Sequence, residues 1–335
     1  MQKALVTGAT GLLGSHLLYS LLERGYEVTA IVRRLDNIKK TTKIFSFYSE
    51  IADELASKVR WVEGELLDAQ FVHSMVAECD IVFHCAAQVS FSPFKKNDVI
   101  RVNTEITANI VDAALELDKR LIHVSSIASL SSATNGGPVD ESCLWKSVKG
   151  ENGYAISKFY SEMEVWRGVE FGLNAAIVNP AVIIGPGDWS SGSPYFFKAV
   201  KGGLPFYTLG GTGFVDVRDV VTAMLTIADR NISGERFVLV GDSISYKMFL
   251  DSVAISIGAK PPRLAARRLL LSLGWRIEYL RCLIFRGEPI MTKELARTAH
   301  RVTTYSAKKA VGTLGIQFRG IRETVEHTAK CFAKE

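Results

Sequence analysis

The chain has 335 residues, 47% of them hydrophobic and 22% charged, and a net charge of +5. That supports a large core and excludes a disordered chain; the size suits one α/β domain with a smaller one appended. No uncharged run approaches the ~18 residues of a membrane span, and Met1 leads straight into an apolar strand, so a cytoplasmic protein is expected.

Five cysteines (Cys79, Cys85, Cys143, Cys282, Cys331) are scattered without C-x-x-C spacing and read as reduced thiols. The six histidines form no H-x-x-x-H or H-E-x-x-H pattern, and no metal is assigned. Seven cations lie between Lys260 and Arg286 against Glu278 alone, so this segment carries +6 and the remainder of the chain −1. Basicity confined to one segment argues against a nucleic-acid surface.

Ala4 to Val6 reads as a buried parallel strand, and Gly8, Gly11 and Gly14 follow every third residue into an apolar-periodic helix, Leu12 to Glu23. Glycines at a helix N-terminus expose free N–H groups at the positive end of the dipole, which suits a pyrophosphate. Gly25 ends that helix, and Glu27 to Val32 is the second strand. At its end stand Val32, Arg33 and Arg34, with no carboxylate for a ribose 2′-hydroxyl, so a 2′-phosphate is favoured. The other reading is that these are solvated loop charges.

Arg60 to Glu63, Asp80 to His84, Leu121 to Val124, Leu173 to Ile184 (a strand with its exit) and Arg236 to Val240 are further strands, with helices around Ile51 to Ala56 and from Asp98 to Glu116. A Ser, Gly and Pro-rich stretch from Ser129 to Gly153 reads as a long functional loop. The next helix carries Tyr154 and Lys158 in YAISK, at i and i+4 on one face. A phenol of pKa ~10 is a poor acid catalyst until a nearby ammonium favours its anion. Tyr195, Phe196 and Phe197 read as a wall of a substrate pocket or as plain core. From Ser245 helices dominate, including Tyr246 to Ile257, one or two amphipathic helices between Lys260 and Arg286, and Thr304 to Leu314. For the basic helices three roles are open: a solvated lid, a lid that meets an anionic or amphiphilic substrate, and, least favoured, peripheral membrane contact.

The G-x-x-G-x-x-G turn after Thr7, the strand-end pair Ser125-Ser126 and YAISK together resemble the extended short-chain dehydrogenase/reductase family, a branch of the NAD-dependent epimerase/dehydratase superfamily. VRRLDNIKK (Val32 to Lys40) and DESC (Asp140 to Cys143) are closest to dihydroflavonol reductases. The resemblance covers nearly the whole chain and is weakest in the last ninety residues. It implies a Rossmann fold, a doubly wound parallel sheet of about seven strands over 1–184 and 209–243, and a smaller, mainly helical substrate domain over 185–208 and 244–335.

The resemblance implies a catalytic group of Ser126, Tyr154 and Lys158 with Asn103 in support. Cofactor contacts fall on Thr7, Gly8, Thr10, Gly11, Leu12, Leu13, Gly14, Arg33, Arg34, Lys40, Glu65, Leu66, Ala86, Ala87, Val124, Tyr154, Lys158, Pro180 and Val182. Gln88, Ser126, Tyr154, Asn179 and Tyr195 would meet substrate. At Glu65 the chain departs from the family's usual Asp. Tyr154, its pKa lowered by Lys158 and a cationic nicotinamide, would act as general acid in the reduction of a small-molecule ketone or aldehyde. NADP(H) is the preferred cofactor, with NAD(H) possible. The alternatives are a nucleotide-sugar epimerase or dehydratase and a non-catalytic NADP-binding scaffold or sensor. A monomer or homodimer is expected.

Overall fold

The computed structural model describes residues 1–133, 136–285 and 292–335. Strand and helix alternate through the first half: β1 (Lys3–Thr7), α1 (Leu12–Glu23), β2 (Glu27–Val32), α2 (Ile38–Phe45), α3 (Ala52–Ser57), β3 (Arg60–Glu63), α4 (Ala69–Ala77), β4 (Ile81–His84), α5 (Lys96–Glu116), β5 (Arg120–Val124), α6 (Gly153–Glu170) and β6 (Ala175–Pro180). There follow β7 (Val182–Ile184), α7 (Tyr195–Lys201), β8 (Phe206–Tyr207), β9 (Gly211–Asp216), α8 (Val217–Asp229), β10 (Glu235–Leu239), β11 (Asp242–Ser245) and α9 (Tyr246–Ser256). The last elements are β12 (Leu264–Ala265), α10 (Arg268–Phe285), α11 (Lys293–Thr298), α12 (Lys308–Leu314) and α13 (Ile321–Phe332).

Seven strands pair in the order β3-β2-β1-β4-β5-β6-β10, all parallel. This is the doubly wound Rossmann sheet, and its order reverses between β1 and β4, where Thr7 lies opposite His84. Their inward and outward residues are alike apolar because helices cover both faces. Leu17, Leu18 and Leu21 of α1 join Val220 and Met224 of α8 on one face; Val72, Ile110 and Val165 cover the other. Capping explains several helix starts. Asn152 accepts a hydrogen bond from the Ala155 N–H at 2.9 Å, and Asp68 accepts one from Phe71 at 3.0 Å.

Four differences from the sequence expectations have simple causes. α2 and α4 fill stretches that sequence periodicity had left unassigned. In Leu173 to Ile184, read as the sixth strand and its exit, the chain leaves the large sheet already after Pro180, and the exit is itself a strand, β7, which pairs with β9, itself paired with β11. The smaller part is therefore less purely helical than expected, with Phe197, Phe214, Phe249 and Phe332 forming a third core. In the basic segment helix begins only at Arg268, because Leu264–Ala265 pairs with Phe206–Tyr207; Arg286 lies outside the described residues. At the end of the expected helix Thr304 to Leu314, only Lys308–Leu314 is helical.

Candidate active site

The glycine turn closes where β1 and β4 diverge. Gly8 has φ +68°, and a side chain there would stand 2.6 Å from the Ala86 nitrogen and 2.7 Å from the Cys85 carbonyl carbon. A side chain at Gly14 would run into the backbone of Gly8. Gly11 caps α1 without a side chain, and its N–H donates to Gly8 O at 3.0 Å, so the first amides of α1 face a bare cradle. A cavity of about 500 Å³ opens over it.

Of the expected cofactor positions, Gly8, Thr10, Gly11, Leu12, Arg33, Lys40, Glu65, Leu66, Ala86 and Ala87 line this cavity, as does Gln88. Thr7, Leu13, Gly14, Arg34, Val124, Tyr154, Lys158, Pro180 and Val182 are not among its lining residues. Thr7 is fully buried, and its hydroxyl sits 2.7 Å from His84 Nδ1 and accepts from the Ala86 N–H at 3.2 Å. Leu13 and Gly14 face the core, Arg34 turns to Asp36 at 3.1 Å, and Pro180 ends β6. Asp188, which no sequence pattern marked, enters the cavity wall and meets Lys40 at 3.3 Å. Hydrogen bonds from Ser190 and Lys40 hold the Asp188 carboxyl down to about 2 against the opposing effect of burial.

α6 presents Tyr154 and, one turn on, Lys158. Lys158 is 4% exposed and donates to Val124 O at 2.8 Å. Burial brings its ammonium down to about 8, while Cys85 and Glu162 pull the other way. The Tyr154 phenol meets the Ser126 hydroxyl; burial raises its pKa and that hydrogen bond lowers it. In the chain by itself burial outweighs the Ser126 hydrogen bond, and the phenol stands above its ordinary value. Ser126 and Ser125 are also separated. Ser125 is 3% exposed and donates to Ser129 Oγ at 3.4 Å, away from the phenol.

Residues 4–241 match the NAD dependent epimerase/dehydratase family. The chain belongs to that family. It is an NAD(P)-dependent short-chain dehydrogenase/reductase of the extended type. A Synechocystis protein named as a dihydroflavonol 4-reductase is 28% identical over 98% of this chain and 93% of its own. Sterol demethylase protein B of Methylococcus capsulatus is 30% identical over 78% of this chain and 76% of its own. The crystal structure of gox2253 superposes with a TM-score of 0.80 at 28% identity, covering 100% of this chain and 98% of the other.

In this epimerase/dehydratase family member, several expected contact residues turn out to position others. Asn103 is 1% exposed; its amide donates to Gln88 O and Ser157 Oγ, each at 2.9 Å, and accepts from Gln88 N–H at 2.7 Å. It therefore ties the β4 exit to α6 and does not reach the phenol itself. Asn179, expected at substrate, is fully buried and donates to Ser126 O at 3.2 Å, Ser129 Oγ at 3.0 Å and Glu162 Oε1. Tyr195 is 49% exposed and lines neither cavity; helical spacing instead sends Phe196 into the second cavity and Phe197 into the core.

Glu162 and Arg236 form a buried pair at 3.1 Å that sequence reasoning missed. Glu162 also accepts from Ser129 Oγ at 2.8 Å, and Arg236 Nε donates to Glu141 O at 3.0 Å. Glu141 in turn accepts from Val238 N–H at 2.7 Å, so DESC is anchored to β10. A second cavity, of about 840 Å³, begins at Ile127, Asn152 and Ala155, chain neighbours of Ser126 and Tyr154. Trp145, Phe196, Phe206, Tyr207, Tyr246 and Tyr305 line it, with Lys146 and Arg301 as its cations.

Proposed function

We propose that this protein reduces a ketone or aldehyde with NADPH, using Tyr154 as general acid and Ser126 as the second donor to the substrate oxygen. The observation that carries the reading is the pairing of the Ser126 and Tyr154 side chains, whose chain neighbours Ile127 and Ala155 line the aromatic cavity. The cradle fits a dinucleotide, since Gly8 leaves the space a side chain would fill and the α1 N-terminus offers free amides. Gly8, Gly11, Ala86 and Ala87 would hold it, and when bound it supplies the hydride.

The chain's own work is binding, orientation and proton delivery. Tyr154 gives its proton to the substrate oxygen, and Ser126 donates to the same atom where negative charge develops. Lys158, at about 8, remains mostly protonated one turn along α6 from the phenol at neutral pH, able to exchange Val124 for a ribose hydroxyl. Asn103, Asn179 and the Glu162–Arg236 pair hold this group in place. Val32 at the end of β2, with Arg33 and Lys40 on the cavity wall, supports NADPH over NADH. We assign cofactor binding to 1–184 and 209–243 and most substrate contacts to 185–208 and 244–335.

A second reading, nucleotide-sugar epimerisation or dehydration, is favoured by Lys146 and Arg301, which place two cations where a diphosphate could lie. The aromatic lining favours a bulky apolar carbonyl instead. Following cofactor absorbance with NADPH and a panel of ketones and aldehydes decides between them. Consumption of NADPH is expected; no consumption, with conversion of a nucleotide sugar in its place, would overturn the reductase reading.

A further inference from the structure

α10 is amphipathic, but it turns its apolar side outward. Leu269, Leu273 and Ile277 recur at every fourth position and are 81%, 60% and 65% exposed. Leu271 and Cys282 face inward at 3% and 4%. A lid whose arginines were merely solvated would bury this leucine stripe and leave only the cations outside. Both are outside here. Lys260, Arg263, Arg267, Arg268 and Arg276 are exposed, and among the described residues none of the five is paired with an acid. Arg281 is closed on Glu278 at 2.8 Å.

Two connections link this surface to the catalytic group. Tyr279 of α10 stacks on Phe94 at 5.4 Å, and the same loop brings Phe91 edge-on to Tyr154 at 5.6 Å. Just before α10, β12 pairs with β8, whose Phe206 and Tyr207 line the second cavity. α10 is thus joined to the loop that touches Tyr154 and follows a strand paired with the wall of the second cavity.

We propose that α10 docks the protein on an anionic bilayer surface, its leucine stripe in the headgroup boundary and its unpaired arginines among the phosphates. The charge pattern selects this occupant: Arg268 and Arg276 on α10, with Arg267 just before it, are exposed and without acidic partners among the described residues beside an apolar stripe, which complements lipid headgroups over acyl chains. A second copy would have to offer a matching acidic face, and the remainder of the chain sums to only −1. No described helix is long and apolar enough to cross a membrane, so the contact is peripheral.

Co-sedimentation of the full chain with vesicles tests this. The protein is expected to pellet at low salt with phosphatidylglycerol–phosphatidylcholine vesicles, to be released at high salt, and to bind pure phosphatidylcholine far less. Each cation near the surface multiplies affinity about fivefold, so Arg267→Gln with Arg268→Gln weakens binding roughly thirtyfold. Leu269→Ser, Leu273→Ser and Ile277→Ser together weaken it by about a hundredfold or more through lost apolar burial. These side chains are exposed, so both variants keep the wild-type melting temperature. Wild type remaining in the supernatant at low salt overturns the proposal, as does unchanged vesicle binding by either variant. So does a wild-type dimer on size exclusion that the triple variant splits and that does not pellet.

Discussion

Lys158 Nζ lies 2.8 Å from the carbonyl oxygen of Val124, the last residue of β5. This hydrogen bond fastens α6 to the strand whose exit carries Ser126, while the Tyr154 phenol one turn earlier is left to Ser126.

The depressed Lys158 has a consequence for stability. Its ordinary value of 10.5 falls to about 8 in the folded chain, so between these limits the unfolded state binds more protons and stability rises with pH. Lys158→Met cannot charge. Its melting temperature relative to wild type is expected to be most favourable near neutral pH and to decline as pH approaches the upper limit. A difference independent of pH would show that burial does not depress this lysine.

The two serines should separate in kinetics. Ser126→Ala removes a donor at the developing oxyanion and should lower kcat by roughly 10² to 10³. Ser125→Ala, whose hydroxyl is turned to Ser129, should stay within a few-fold of wild type. Equal losses in both would remove Ser126 from its assigned role.

Gly8 and Gly25 both have positive φ, +68° and +76°, but only Gly8 has backbone atoms where a Cβ would stand. Gly25→Ala should cost about 1 to 2 kcal/mol in denaturant unfolding and leave cofactor affinity alone. Gly8→Ala should cost more and abolish cofactor binding by calorimetry. Retained binding in Gly8→Ala would argue that the cofactor lies elsewhere.

The buried Glu162–Arg236 pair predicts an asymmetry. Glu162→Ala strands an arginine 6% exposed and frees Ser129 and Asn179, so about 3 to 5 kcal/mol of stability should be lost in urea titration. A loss under 1 kcal/mol would show that the pair is not the anchor of the Ser126 loop.

What could be read from the sequence was local. The glycine spacing, the strand runs and the Tyr154–Lys158 interval are all settled within one or two turns of chain, and each strand of the large sheet lies within a residue or two of its expected place, whereas β8, β9, β11 and β12 had not been expected. What could not be read depends on distant partners. Glu162 and Arg236 are 74 residues apart, and Lys40 and Asp188 are 148 apart. Periodicity marked α10 as amphipathic but could not say which side packs, because that depends on the Phe94 loop and β8. The family pattern located Asn103 and Asn179, yet only their burial reveals that they hold backbone in place.

The central claim, hydride delivery to a carbonyl protonated by Tyr154, is tested most directly by isotope tracing with NADPH deuterated at the transferable C4 position. With an accepted ketone, wild type should place one deuterium on the new carbinol carbon. Tyr154→Phe should slow this transfer by ~10² to 10⁴ while keeping NADPH affinity. Deuterium that never reaches a carbinol, or transfer at more than about a tenth of the wild-type rate in Tyr154→Phe, would contradict the account.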